Sequence, residues 1–318
     1  MTNGSAPRPA SPASRPSAII LAGGEGSRLK PLTRRLAGDD RPKQFCRVLG
    51  GETLLEQTRH RAARLVPPAQ MLFSVTRRHA PYYLTALADV APEALVVQPE
   101  NRGTAPAILY AVLRAQALAL PGPLVVMPSD HHVTDDDAFM GHVQAAVIAA
   151  RARPDLVVLI GITPDRSDAA YGWIEPGDAI PGPWPGTLRR VQRFLEKPPA
   201  PVVEALEARG ALWNSFVMVA QAGALLRLIA GAAPTLLAAF APLRPRLGTP
   251  WEDATARRVY GNLTAVDFST AILERRSAML AVRPASGVGW TDLGEPARVI
   301  AAHRHLAWET GPALSAMP

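Results

Sequence analysis

Short aliphatic and β-branched runs alternate with helical stretches over residues 17–160, and no other feature constrains the fold as tightly. Residues 17–22, 71–75, 95–98, 124–127 and 156–160 read as buried strands, too short to be helices of ordinary length. Between them, Thr53-Leu54-Leu55-Glu56 is a capping box, followed by a stripe of Leu54, Leu55, Thr58, Ala62 and Leu65 at helical spacing. Residues 81–88, 104–119 and 138–150 supply the other helices of this half. Strand and helix in turn at this spacing predict an α/β fold, a Rossmann-like, doubly wound, mostly parallel sheet with helices on both faces. After Gly161 the pattern loosens. The stretch 176–186 is rich in proline and glycine and predicts a turn between antiparallel strands ending near Ile174 and starting near Leu188. A helix at 202–209, an apolar strand at 213–219, helices around 221–230, 235–241 and 252–260, and a short strand at 278–282 follow.

Charge and cysteine content narrow the class. The 318 residues carry a formal net charge of +7, and of the 34 basic residues only Lys30, Lys43 and Lys197 are lysines. The arginines are scattered among apolar residues without a basic run or interleaved aromatics, so no nucleic acid is expected as a partner. An anionic small substrate explains the excess as well. No apolar run approaches the roughly 18 residues of a membrane span, so no membrane association is expected. The single Cys46 excludes a disulfide framework or a cysteine metal cluster, and a reducing, cytoplasmic setting is the expectation. Residues 1–16, broken by four prolines, read as a disordered lead-in.

The first strand runs into Leu21-Ala22-Gly23-Gly24-Glu25-Gly26-Ser27-Arg28-Leu29. Glycines there let a backbone approach a ligand and present N–H groups to phosphate oxygens. A dinucleotide fingerprint counted from Gly24 meets Leu29 where its third glycine belongs, and a Walker A motif counted from Gly23 meets Arg28 where glycine belongs. Both fail. A ligand loop at the carboxyl edge of a sheet, with Arg28 as a phosphate fork, and a tight turn with a surface arginine both fit the loop by itself.

Together with Arg41-Pro42-Lys43-Gln44-Phe45, this loop resembles the signature of the sugar-1-phosphate nucleotidyltransferases, and its PKQF form resembles the mannose-1-phosphate guanylyltransferase branch. Further matches follow in the family's order: residues 99–107 (PENRGTAPA), 128–131 (PSDH), 171–175 (YGWIE), 194–198 (FLEKP), 213–215 (WNS) and 290–294 (WTDLG). The resemblance implies the nucleotide-diphospho-sugar transferase fold, with an antiparallel elaboration for the sugar. It assigns residues 17–294 to the catalytic domain and 295–318 to a helical C-terminal tail. The implied reaction is that of GTP with mannose 1-phosphate, giving GDP-mannose and pyrophosphate. Such chemistry is largely positioning and charge stabilisation, and it needs no covalent nucleophile.

The same resemblance implies roles. Asp130 and Asp292 would hold Mg2+, a hard ion that takes one or two carboxylates and completes its shell with phosphate and water. Arg28 and Lys43 would gather the triphosphate and, with Asp130, form the catalytic set. Leu21, Ala22, Gly23, Gly24, Gly26, Ser27, Glu100, Arg102, Gly103 and Thr104 would line the nucleotide, with Glu100 accepting from guanine and Thr104 also capping its helix. Gly172, Glu196, Lys197 and Asn214 would form the sugar pocket. Trp213 reads as core, His131 as structural, and His303 and His305 as surface residues. Three departures bear on substrate choice. Phe216 stands where the family usually has glycine, Asp39-Asp40 place carboxylates beside the phosphate loop, and 165–170 lacks the usual Thr-Gly. The C-terminal domain that some relatives carry is not expected in these 318 residues. Alternatives are the same reaction with another sugar 1-phosphate or NTP, a non-catalytic nucleotide-sugar sensor, and a dehydrogenase, the last disfavoured by the broken fingerprint. A homodimer is a candidate assembly.

Overall fold

Ile19 and Ile20, adjacent on the first strand, are both fully buried and belong to different cores. Successive strand residues point to opposite faces, so the sheet is covered on both sides. The computed structural model describes residues 15–310, with side chains through Arg304. The expected lead-in at 1–16 therefore lies outside the described residues except for Arg15 and Pro16.

Nine strands form one sheet: β1 (Ser17–Leu21), β2 (Met71–Thr76), β3 (Leu95–Gln98), β4 (Leu124–Pro128), β5 (Val157–Ile162), β6 (Gly172–Ala179), β7 (Arg189–Glu196), β8 (Leu212–Ala220) and β9 (Leu280–Ala285). Their spatial order is β3-β2-β1-β4-β8-β5-β9-β7-β6. The pairs β1–β2, β1–β4, β2–β3 and β5–β9 are parallel. Strand β8 runs antiparallel between β4 and β5, and β6–β7 and β7–β9 are antiparallel. The helices are α1 (Lys30–Ala37), α2 (Leu54–Ala63), α3 (Ala80–Ala86), α4 (Thr104–Ala117), α5 (Asp136–Ala152), α6 (Ala200–Glu207), α7 (Ala222–Ala232), α8 (Pro234–Ala239), α9 (Glu252–Gly261) and α10 (Pro296–Thr310). Residues of α2, α3, α5 and α6 share the core on one face of the sheet. Those of α4, α7, α8 and α9 fill the other. Among the described residues no single helix is long and apolar enough to cross a membrane.

The expected turn at 176–186 begins later than the sequence suggested, because β6 continues through Pro176 and Gly177 to Ala179. Beyond Ile174, β6 pairs only with β7, and its register shifts on both sides of Pro176. An edge strand with a bulge tolerates a residue that has no N–H to donate.

Strand β8 forks the sheet. Its last residues, 218–220, pair with β4, while Leu212 and Trp213 pair with β6. Its other edge follows β5 through a register shift between Leu159 and Gly161. Side chains stitch the irregular segment opposite. Ser215 Oγ donates to Ile160 O at 2.6 Å and accepts from Val217 N at 3.1 Å, and Asn214 Oδ1 accepts from Phe216 N at 3.0 Å. Phe216 is held at φ 58°, a conformation that disfavours any side chain. The fork separates β4 from β6 and leaves a cleft between them.

Helix α10, expected as part of a tail, packs on the domain. Val299 joins Leu29, Cys46, Val48, Leu54 and Leu293 in a third cluster. His303, expected at the surface, is half-buried, with Nε2 at 2.6 Å from Val48 O. The apolar stripe that seats α10 carries it inward. His305 lies outside the described side chains.

Ser215 is fully buried, so Ser215→Ala strips two backbone groups of their partner. A loss of about 2 kcal/mol is expected from urea unfolding.

Candidate active site

The glycine loop opens the cleft at the carboxyl end of β1. Gln44 Nε2 donates to Ala22 O and Gly24 O at 3.0 and 2.8 Å, and Thr76 Oγ1 donates to Gly23 O at 3.0 Å. A trans peptide points its C=O and the following N–H in opposite directions. With three consecutive carbonyls tied to the protein, the amides of Gly23, Gly24 and Glu25 face the other way, as an anion requires. Gly23 cannot be replaced cheaply. A Cβ there would lie 2.8 Å from Gln98 Nε2 and 2.9 Å from Thr76 Oγ1.

Asp130 stands two residues beyond β4. Ser129 pins that strand end to β1, its N and Oγ both donating to Leu21 O at 3.1 and 2.8 Å. An isolated bridge between His132 and Thr291 then joins this loop to the 290–294 turn, with N···O distances of 2.9 and 3.0 Å. Asp130 and Asp292 thus line one cleft from positions far apart in sequence.

Cations hold these carboxylates in place. The Lys43 ammonium, almost buried, lies 3.4 Å from Asp130 Oδ2 and donates to Asp292 O and Leu293 O at 2.6 and 3.2 Å. An ammonium has three protons, and these three partners account for them. Arg298 of α10 holds Asp292 Oδ1 at 2.5 Å. Burial pushes both aspartate carboxyls up, yet Lys43 and His131 beside Asp130, and His131 and Arg298 beside Asp292, hold both below the usual carboxylate range. Burial pushes the His131 imidazole down, and the neighbouring Asp130 carboxylate opposes that shift. Its Nδ1 is buried without a hydrogen-bond partner, and its ring meets Trp290 edge-on at 5.2 Å.

The opposite wall comes from β6, β7 and β8. Gly172 pairs with Glu196 in the ladder, and a Cβ on it would stand 2.6 Å from Glu196 Oε2. The missing side chain is what lets this carboxylate close on the cleft. Burial raises the Glu196 carboxyl, although Lys197, 3.5 Å away, opposes the shift. Asn214 and Phe216 descend from the β8 fork, and Asp267 and Ser269 complete this wall. Among the described residues four other than glycine have positive φ. Lys197, Phe216 and Leu293 are three of them, all in or beside the cleft, where backbone strain of about 1–3 kcal/mol per residue is usually found.

The cleft, of about 330 Å³, brings together Leu21, Gly24, Arg28, Lys43, Thr104, Asp130, Gly172, Glu196, Lys197, Asn214 and Asp292. Gly26 and Ser27 line a smaller recess of about 260 Å³ beside Arg28, Lys43 and Asp130. Ala22 is buried behind the loop, and Gly23, half-buried, is not among the residues that line the cleft. Glu100, Arg102 and Gly103 do not line the cleft. Glu100 pairs with Arg102 at 2.7 Å, Arg102 Nε donates to Tyr260 O at 3.2 Å, and a Cβ on Gly103 would overlap Val266 O. Thr104 does not cap α4, whose N-cap is Gly103 without a side-chain bond. Its hydroxyl instead donates to Asp267 at 3.1 Å and accepts from Phe268 N at 2.7 Å, because residues 266–268 lie against the start of α4. Trp213 is core as expected, 4.7 Å from the Tyr171 ring. Asp39 and Asp40 are neutralised by Arg41 and Arg34 rather than facing the loop. Sequence reasoning assigned no role to Gln44, Asp267, Ser269 or Arg298. Of these only Gln44 lay within a quoted motif.

Among the described residues no group of three or more His, Cys, Asp or Glu is arranged as a metal site. Two carboxylates in one cleft, each backed by a cation, do not suit zinc, but they suit a hard ion whose other ligands are phosphate and water.

Since their folded-state pKa values are depressed, Asp130 and Asp292 contribute stability above the unfolded carboxyl pKa and lose it as pH falls through the folded value. Asp292→Asn is therefore expected to flatten the loss of unfolding free energy as pH falls below the ordinary carboxylate value of about 4. An unchanged acid limb in urea titrations would count against the depressed value.

Comparison with known proteins agrees with the geometry. The chain is 33% identical over 226 residues to the mannose-1-phosphate guanylyltransferase ManC of Salmonella typhimurium, covering 70% of this chain and 46% of that protein. It is 30% identical over 285 residues to a mannose-1-phosphate guanylyltransferase of Escherichia coli, covering 87% and 57%. The chain thus spans about half the length of the curated relatives it matches. A crystal structure from Thermus thermophilus, described as a mannose-1-phosphate geranyltransferase, superposes with a TM-score of 0.74 at 30% identity over 88% of this chain and 76% of that one. The nucleotidyl transferase family pattern matches residues 17–309, and the chain belongs to that family.

Proposed function

We propose that the chain joins GTP to mannose 1-phosphate, forming GDP-mannose and releasing pyrophosphate. The observation that carries this reading is the cleft itself. Gly24 of the glycine loop and the Asp130–Asp292 pair share one cleft with Glu196, Lys197 and Asn214. The relatives named above supply the choice of base and sugar.

In this reading the amides of Gly23, Gly24 and Glu25 bind the triphosphate, and Arg28, more than half exposed, closes on it from the recess. The sugar lies against Gly172, where Glu196 and the Asn214 amide take its hydroxyls, and Lys197 meets the sugar phosphate. Held in line, a phosphate oxygen of the sugar forms a bond to the α-phosphorus as the α–β anhydride bond breaks. Pyrophosphate leaves with the electron pair. No proton transfer is required, so positioning and charge compensation carry the rate. Asp130 and Asp292 would hold Mg2+, which when bound offsets the repulsion between the two phosphates. Lys43 keeps Asp130 ionised for that task and ties it to the 290–294 turn. Residues 17–310 act as one unit here, with α10 part of it.

A second reading keeps the reaction and changes the sugar. Phe216 enters the cleft and packs on Phe268 at 6.3 Å between ring centroids, which narrows the pocket beside Asn214.

The test is pyrophosphate release with Mg2+, crossing GTP, ATP, UTP and dTTP with mannose, glucose and fructose 1-phosphates. Release is expected with GTP and mannose 1-phosphate, falling about 100-fold or more in Asp130→Asn. Preference for another pair would overturn the substrates, and silence across the panel would overturn the activity. Glu196→Gln is expected to raise KM for the sugar phosphate about 10-fold, with KM for the nucleotide nearly unchanged.

A further inference from the structure

Arg298 lies in the first turn of α10, within the stretch that reads from sequence as a tail, yet it is only 9% exposed. Burying a guanidinium is costly unless each side of it finds a partner. Three partners are present, Asp292 from the turn six residues before it and Asp168 and Tyr171 from a segment about 130 residues away. Nη1 donates to Asp292 Oδ1 at 2.5 Å and Nη2 to Asp168 Oδ2 at 2.8 Å. The guanidinium carbon stands 4.2 Å from the centre of the Tyr171 ring. Asp168 is itself built in, its Oδ1 accepting from Ala170 N at 3.0 Å and its carbonyl from Trp173 Nε1 at 3.0 Å.

Each partner leads to one wall of the cleft. Asp292 lines the wall of the paired carboxylates, and Tyr171 precedes Gly172 on the sugar wall. The second hydrogen bond to the Asp292 carboxylate, from Gly294 N at 2.9 Å, also falls on Oδ1. Two donors on one oxygen fix the plane of the carboxylate and leave Oδ2 for a ligand. From the structure we infer that Arg298 is a positioning residue of the nucleotidyl-transfer site. It orients Asp292 for the divalent cation and locks the Asp168–Tyr171 loop to the same point, so that metal site and sugar wall keep a constant separation.

The geometry demands an arginine. A lysine supplies one point of charge and cannot bridge two carboxylates in a plane while stacking on a ring. The pairing also mirrors that of Lys43 with Asp130, so each carboxylate has its own cation behind it.

This inference rests on the proposed transfer reaction, and two readouts separate their failures. The first is Mn2+ binding by the full chain without nucleotide, followed by loss of the free-ion EPR signal. The second is kcat and KM in the pyrophosphate assay. Arg298→Ala is expected to weaken Mn2+ binding about 10-fold and to lower kcat about 30-fold, with KM for GTP changed less than about 3-fold. Arg298→Lys, which keeps the charge and preserves folding should the alanine variant unfold, is expected to lie between them. Mn2+ binding and kcat equal to the parent in both variants would overturn the positioning role. So would equal falls in Mn2+ binding, kcat and melting temperature that lysine fails to relieve. A parent chain that binds no Mn2+ would overturn the assignment of Asp292 and this inference with it. A parent that binds Mn2+ in the Arg298-dependent way but releases no pyrophosphate would sustain the positioning of Asp292 and overturn the proposed reaction.

Discussion

Two ionised carboxylates in one cleft repel, and the site depends on the buried Lys43 ammonium that holds them together. It lies 3.4 Å from Asp130 and donates to the carbonyls of Asp292 and Leu293, joining the segment after the glycine loop to both aspartate-bearing turns. Removing one partner from such a buried set leaves charge uncompensated, at a cost of about 3–5 kcal/mol. The surrounding contacts follow from this constraint. Gln44, next in sequence, fixes the glycine loop through two carbonyls, and the His132–Thr291 bridge holds the two turns side by side. Arg298 then compensates the second carboxylate from behind.

The other wall has a different origin. Strand β8 belongs to the main sheet through β4 and to the antiparallel extension through β6, and it cannot follow both without a break. Its break at Ser215-Phe216, stitched by the Ser215 hydroxyl and the Asn214 amide, opens the space that the cleft occupies. Glu196 reaches that space only because Gly172 lacks a Cβ. The cleft is thus the gap between a parallel half that presents backbone amides and an antiparallel half that presents side chains. A phosphate and a sugar ask for that division of labour.

Much of this was legible in the sequence because local patterns carry it. Strands β1 to β5 are runs of aliphatic residues with no competing helical reading, and α4 begins where Thr104 follows a glycine. What depended on distant partners was not legible. The run at 212–220 looks alike whether it pairs parallel or antiparallel, so its place between β4 and β5 could not be read. Helix α1 is only eight residues long and rests on the third cluster by the half-buried Leu32 and Ala37, too short a stripe to stand out, although Pro31 and Gly38 mark its ends. In the site, glycines and lone charges within motifs stand out, and most of those residues meet in the cleft. Glu100 does not, because Arg102 two residues away takes its carboxylate. Arg298 was hidden for a simpler reason. In a chain whose 34 basic residues are nearly all arginine, one arginine in a terminal helix carries no mark of burial.

The central claim is that Asp130 and Asp292 share a divalent cation while the β6–β8 wall takes the sugar. A crystal structure of the chain with GDP-mannose and Mn2+, read through the anomalous signal of manganese, tests it most directly. The expected result is a single peak within coordination distance of both carboxylates, with the mannose hydroxyls on Glu196 and Asn214. Manganese on neither aspartate, or a sugar seated away from Gly172, would contradict it.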